Sequence, residues 1–247
     1  MKTFLCLAII LTLYMTPTPS YFIQDQDMVY VGGGTIKIDG RTYKNNPLLV
    51  DKYEVTMAQF EKFVEATGYK TFAEKNGGAK IWSKEKMDWA QSPHANWRHD
   101  LNGREIPKAM YTKLPVSNVC IEDALAYANW AGKRLPYQYE WLFIARGGEA
   151  GKKTKYAGSN KADDVAWYDE NTYGKKQPVG TKKPNELGVY DMSGNVNEFV
   201  LSDDGLYYAV GGSYFSDKEL CELKDKGWKV RKTEVFHTYG FRCVKDL

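Results

Sequence analysis

Histidine is scarce in this chain. His94, His99 and His237 are the three in 247 residues, too few and too widely spaced to form a metal triad legible in sequence. No His-Glu-x-x-His helix and no Gly-x-Ser-x-Gly elbow occurs, so neither signature of a hydrolytic centre is present. Ser213 or Ser216 with His237 supplies the residue types of a nucleophile and base, but such a set is defined by geometry and arises often by chance. Excess charge is also missing, at a formal +3. The lysines come in short interrupted runs (Lys152, Lys153 and Lys155; Lys175 and Lys176; Lys182 and Lys183). They read as solvated loops, and with no basic stripe interleaved with aromatics a nucleic-acid partner is not expected. No repeat or low-complexity linker follows residue 28.

The apolar run from Phe4 to Met15 is too short to span a bilayer at ~1.5 Å per residue. Its length suits the h-region of a signal peptide, with Lys2 before it and Thr16-Pro-Thr-Pro-Ser20 after it. Residues 1–20 are therefore expected to be a signal peptide cut after Ser20, giving an exported (periplasmic, cell-surface or secreted) protein. An uncleaved anchor is the alternative, and the single route to a membrane. Cys6 lies too early to be a lipoprotein cysteine.

Hydrophobic residues make up 43% and charged residues 26%, which permits a packed core. The 22 glycines and a 14% aromatic content suit a loop-rich domain whose irregular core is filled by rings. Met28 to Ile38 reads as strand, glycine turn and strand, and Leu48 to Glu54 as another extended run. Thr56 and Gln59 form a capping box for a helix with Phe60, Phe63 and Val64 on one face, ended by Gly68. Residues 69–114 show no period and are expected to form a long surface loop pinned by buried Trp82, Trp89 and Trp97. A second helix is expected from Ile121 to Ala131, stopped by Gly132, and a third from Tyr137 to Ala145. Beyond residue 150, short strands are expected at Val165–Tyr168, Gln177–Gly180, Val189–Met192, Tyr207–Gly212 and Tyr239–Val244. The sum is a single α+β domain over residues 28–247.

Several segments occur together in a fixed order: Val31-Gly-Gly-Gly-Thr35, Asp51-Lys-Tyr-Glu-Val-Thr56, Trp130-Ala-Gly-Lys-Arg-Leu-Pro136, Ala145-Arg-Gly-Gly148, Pro184-Asn-Glu-Leu-Gly-Val-Tyr-Asp-Met-Ser-Gly-Asn195, Gly211-Gly-Ser213 and Gly240-Phe-Arg242. This ordered set resembles the formylglycine-generating enzyme (sulfatase-modifying factor) family. The resemblance implies an elaborated C-type-lectin-like fold with little regular secondary structure. It also implies a range of activities, from copper-dependent oxidation of a substrate cysteine, through related iron-dependent oxidations, to non-catalytic binding.

In the family's oxidases, Arg-Gly-Gly-Ser is followed by a cysteine and, five residues on, by a second. Here the segment runs Val210-Gly-Gly-Ser213-Tyr-Phe-Ser216, with Cys221 at the second cysteine position. Cu(I) is soft and prefers thiolates, and a serine hydroxyl is a hard, weak ligand for it. The family's arginine is replaced by Val210 and its tryptophan by Asn197. Copper is therefore not expected. Cys221, Ser216 and Ser213 are the catalytic candidates under an oxidase reading, while the leading expectation is a non-catalytic module for a protein or glycan ligand outside the cytoplasm. Cys221 has two readings: a remnant metal ligand, or half of a disulfide with Cys243, worth about 3 kcal/mol by loop closure. Cys120 is expected to be a small buried side chain. The resemblance also implies a calcium site, with carboxylates from Asp191 and Glu198 and backbone carbonyls from Gly194 and Val196. The acidic stretch from Asp163 to Asn171 is read as an exposed loop. His99 is read as a surface residue near a pocket.

Overall fold

The computed structural model describes residues 27–224 and 226–247, so the expected signal peptide lies outside the described residues. Among those residues no helix is long and apolar enough to cross a membrane.

The chain begins with β1 (Met28–Val31), the hairpin β2 (Gly34–Ile38) and β3 (Arg41–Asn45), and β4 (Leu48–Asp51). Helix α1 (Met57–Thr67) starts where the capping box predicts: Gln59 N donates to Thr56 Oγ1 at 3.3 Å and Thr56 N to Gln59 Oε1 at 2.8 Å. Gly68 closes it in the left-handed region at φ 66°. Phe60 and Phe63 are buried from this helix against Trp97, Tyr127 and Phe241.

Residues 69–114 are more ordered than expected. They hold α2 (Phe72–Lys75) and a hairpin of β5 (Ala79–Ser83) and β6 (Asp88–Ser92). Trp82 and Trp89 face each other across the hairpin, 5.5 Å apart, and both are half-buried; Trp97 alone of the three indoles is fully enclosed. Aromatic pairs at facing positions stabilise such a ribbon. The left-handed residue at its turn is Met87, a type that carries no turn signal in sequence.

Helices α3 (Ile121–Trp130) and α4 (Gln138–Ala145) match expectation to within a residue at each end. Buried Asp123 accepts from Cys120 N at the start of α3, and also from Phe72 N and the Tyr69 hydroxyl, which fastens α2 to α3. Two short helices follow, α5 (Ala162–Val165) and α6 (Asp169–Thr172). The strands expected at 165–168, 177–180 and 189–192 do not form; isolated backbone hydrogen bonds such as Val179 N to Lys113 O and Tyr190 N to Lys52 O hold these segments in place of a ladder. Then come β7 (Asn197–Leu201), β8 (Tyr207–Val210), β9 (Trp228–Val230), β10 (Tyr239–Gly240) and β11 (Val244–Asp246).

One sheet has the order β1-β4-β11 and a second β10-β7-β8-β9. The main core lies between the second sheet, α1 and α3; a second core joins α4 to β1, β4 and β8. This is the mixed, helix-poor architecture of the C-type-lectin-like fold.

Candidate functional site

Three groups of side chains lie around the loops after α6, before β7 and after β8. The first is the turn after β8. Gly211 and Gly212 adopt φ of 91° and 73°. A Cβ on Gly212 would stand 2.5 Å from Cys221 Sγ, so this position admits no side chain while the thiol lies against it. Ser213 and Ser216 are buried, with their hydroxyl oxygens 2.9 Å apart. Ser213 N donates to Ser216 Oγ at 3.1 Å and Phe215 N to Ser213 Oγ at 3.2 Å. The two hydroxyls thus close a backbone turn.

Cys221 is fully buried in a small cluster with Tyr156, Val165, Ala166 and Tyr168, whereas Cys243 belongs to the main core. Cys120 and Cys243 are buried thiols, so the expected Cys221–Cys243 bridge does not form; the two sulfurs belong to different cores. Burial and the Asp123 charge push the Cys120 thiol up to about 12. The Cys243 thiol is pushed well up by burial and Asp51.

The second group is a buried carboxylate cluster. Arg242 and Glu198, both essentially unexposed, form a bidentate pair with two contacts of 2.7 Å. Glu198 Oε2 also accepts from Trp141 Nε1 at 2.7 Å. Glu54 accepts from Asn195 Nδ2 at 2.7 Å and from Val196 N at 3.0 Å. Asp191 Oδ2 accepts from Gly180 N at 2.7 Å, and Asp191 Oδ1 is buried with no hydrogen-bond partner among the described residues. Asp191 and Asn195 both have positive φ, and a Cβ on Gly194 would stand 2.1 Å from Trp167 O. Asp and Asn tolerate that backbone region better than other side-chain-bearing residues, which explains the composition of this loop. Glu54, Asp191 and Glu198 share one guanidinium. Burial pushes Asp191 up to about 6, and burial with the two neighbouring carboxylates pushes Glu54 well up.

Asp191, Gly194, Val196 and Glu198 thus lie in and just beyond one loop. An orphaned carboxylate oxygen beside excess negative charge suits a hard divalent cation. Among the described residues, no group of three or more histidine, cysteine and acidic side chains is placed to hold a metal ion, so the carbonyls would have to complete the shell.

The third group surrounds a cavity of about 400 Å³ that the sequence did not announce. Ile106, Met110 and Leu114 give it apolar walls, while Lys176, His99 and His237 bring polar atoms to it. His99 is therefore a cavity residue, with Nδ1 accepting from Asn96 N at 3.3 Å. Lys176, expected in a solvated loop, instead donates from Nζ to Pro115 O at 2.8 Å and to Ser117 Oγ at 3.0 Å. Gln177 N, donating to Asn195 Oδ1 at 2.9 Å, ties this segment to the carboxylate loop. Burial lowers Lys176 to about 7, opposed by the Glu54 and Asp100 charges. His237 is buried with Nδ1 2.7 Å from the Tyr214 hydroxyl, and Trp89 stacks on its ring at 4.4 Å. Burial and the Lys176 charge lower the imidazole to about 3. Its Nδ1 faces a tyrosine and not a serine, so the serine–histidine arrangement is not assembled.

Comparison with known proteins places these features. Residues 16–247 match the family model described as a sulfatase-modifying factor enzyme 1-like domain. The formylglycine-generating enzyme of Thermomonospora curvata is 33% identical over 287 residues, covering 89% of this chain and 93% of that protein. The mouse protein named inactive C-alpha-formylglycine-generating enzyme 2 is 30% identical over 216 residues, covering 72% and 70%. The chain spans 65% of the length of the mouse formylglycine-generating enzyme. The crystal structure of CarF superposes with a TM-score of 0.67 at 24% identity, covering 90% of this chain and 98% of that one. The chain belongs to the sulfatase-modifying factor (formylglycine-generating enzyme) family.

Proposed function

We propose that this protein is an exported, non-catalytic member of the family, a binding or assembly module whose recognition surface is formed by the loops from Ser213 to Thr238. The observation that carries this reading is the Ser213–Ser216 pair. The Ser216 hydroxyl is locked into a backbone turn with Ser213, at the place where the resemblance to the family's oxidases implies a thiolate. Cys221 alone offers one sulfur, enclosed behind Gly212. The similarity to a mouse protein named as inactive supports the same reading.

The surface itself suits recognition. Phe215 and Leu220 are 45% and 36% exposed, on either side of Ser216. Around them Asp217, Lys218, Glu219, Lys229 and Arg231 present charges of both signs to a protein or glycan ligand. Phe215→Asp tests this: capture of a specific partner from the cell envelope should be lost with the fold intact. Equal capture by the variant, or none by the parent, counts against the surface. Cys221→Ser separates this reading from an oxidase, because an oxidase using that thiol would lose turnover.

Calcium belongs to the same proposal. Asp191 and Glu198, with the carbonyls of Gly194 and Val196, would hold it. The ion would supply charge balance and rigidity beneath the recognition loops, with no chemical step.

A further inference from the structure

Buried amines are rare in proteins because an ammonium loses much of its hydration on burial. Lys176 is a half-buried residue whose amine is tied inward by two hydrogen bonds, and no role described above uses it. Its two hydrogen bonds count in a specific way. A neutral amine has two N–H groups and one lone pair, and Pro115 O and Ser117 Oγ take two donors. The remaining direction of the tetrahedral nitrogen is the lone pair. The side chain lines the cavity, so a carbonyl group entering that space comes up against this amine, whose neutral form is a nucleophile. Desolvation of a lysine among apolar neighbours is the usual means of activating it.

We propose that Lys176 binds an apolar aldehyde or ketone covalently, as an imine, in the cavity walled by Leu101, Ile106, Met110 and Leu114. The nitrogen lone pair attacks the carbonyl carbon, forming the C–N bond while the carbonyl π pair moves to oxygen. A proton passes from nitrogen to that oxygen, giving a carbinolamine. Loss of one water then forms the C=N bond, and no oxidant or reductant is consumed. Ser117, whose hydroxyl can turn from acceptor to donor, keeps a hydrogen bond to the imine nitrogen. His237 lines the same cavity, and its buried Nε2 has no hydrogen-bond partner among the described residues. In either tautomer that nitrogen can pair with the carbinolamine oxygen. The aliphatic walls select a carbonyl compound with an apolar body and give little to a small hydrated one. This proposal does not depend on the recognition surface or on the absence of oxidase activity.

The test uses the full chain, hexanal as probe and cyanoborohydride to fix any imine, followed by proteolysis and mass spectrometry. At pH 7 Lys176 should be alkylated at least about tenfold faster than the average of the other lysines. The rate at Lys176 should rise with pH around a midpoint near the value of about 7 given above. Met110→Trp, which fills the cavity from a half-buried position, should slow labelling of Lys176 and leave the other lysines and the melting temperature unchanged. Labelling of Lys176 at the average rate of surface lysines would overturn the proposal. Undiminished labelling in Met110→Trp would also overturn it, because the walls would then play no part.

Discussion

The hydroxyl oxygens of Ser213 and Ser216 lie 2.9 Å apart inside a turn whose other contacts are backbone amides. That pairing gives Ser216 a structural task and removes it from ligand chemistry. A hard oxygen donor in this position leaves a soft ion with little to hold. Ser216→Cys should therefore gain copper(I) affinity by at least about tenfold in a competition titration, since a second soft donor joins Cys221. It should also lose about 1 kcal/mol of stability with the Ser–Ser hydrogen bonds. Unchanged copper affinity would count against the reading that Ser216 stands where a copper-binding thiolate is expected.

Arg242 is the one guanidinium among Glu54, Asp191 and Glu198, and it also donates to the carbonyls of Asp51 and Tyr190. Arg242→Met should cost about 3–5 kcal/mol in urea denaturation, because it strands buried carboxylates without their counter-charge. A loss below about 1 kcal/mol would show that the cluster is protonated or otherwise compensated.

Asp191 sets a pH dependence with a definite sign. Its folded-state pKa is raised from 3.8 to about 6, so the folded protein holds this proton more tightly than the unfolded chain. The associated stability is complete below about pH 4 and is lost as pH rises towards 6. Asp191→Asn should remove that slope and, without calcium, gain about 1–3 kcal/mol at pH 7. Millimolar calcium should raise the melting temperature of the parent above pH 6 and leave that of Asp191→Asn unmoved. An equal response from both proteins would place the ion elsewhere, and no response would remove the calcium proposal.

Local rules made much of the fold legible. Thr56 with Gln59, Gly68 and Gly132 delimit helices by capping chemistry that acts within a few residues. Strand β7 is not legible because Asn197 and Glu198 are polar, and the burial of Glu198 depends on Arg242 far along the chain. The β5–β6 hairpin was missed because its turn uses Met87 in place of glycine or asparagine. The site divides in the same way. Ser216 could be read from the ordered family motifs, but Lys176 looked like one more solvated lysine. Its amine is drawn inward by Pro115 and Ser117, about sixty residues away. His99 and His237, too sparse for a motif, meet at the same cavity only through the fold.

The thiols give a direct check on packing. Alkylation of the unfolded, unreduced protein followed by mass spectrometry should find Cys120 and Cys243 modified, because both are buried as thiols. The same reagent on the native protein should react slowly with both, given their enclosure and raised pKa. A peptide linked through Cys243 to Cys221 would contradict the two-core arrangement.

The proposed non-catalytic role rests on reading Ser216 as standing in for a thiolate. The decisive measurement is copper(I) titration of the purified protein together with mass-spectrometric assay of a cysteine-containing peptide. The account predicts no tight copper site and no formylglycine product. Tight copper held through Cys221, accompanied by turnover of the peptide, would contradict it.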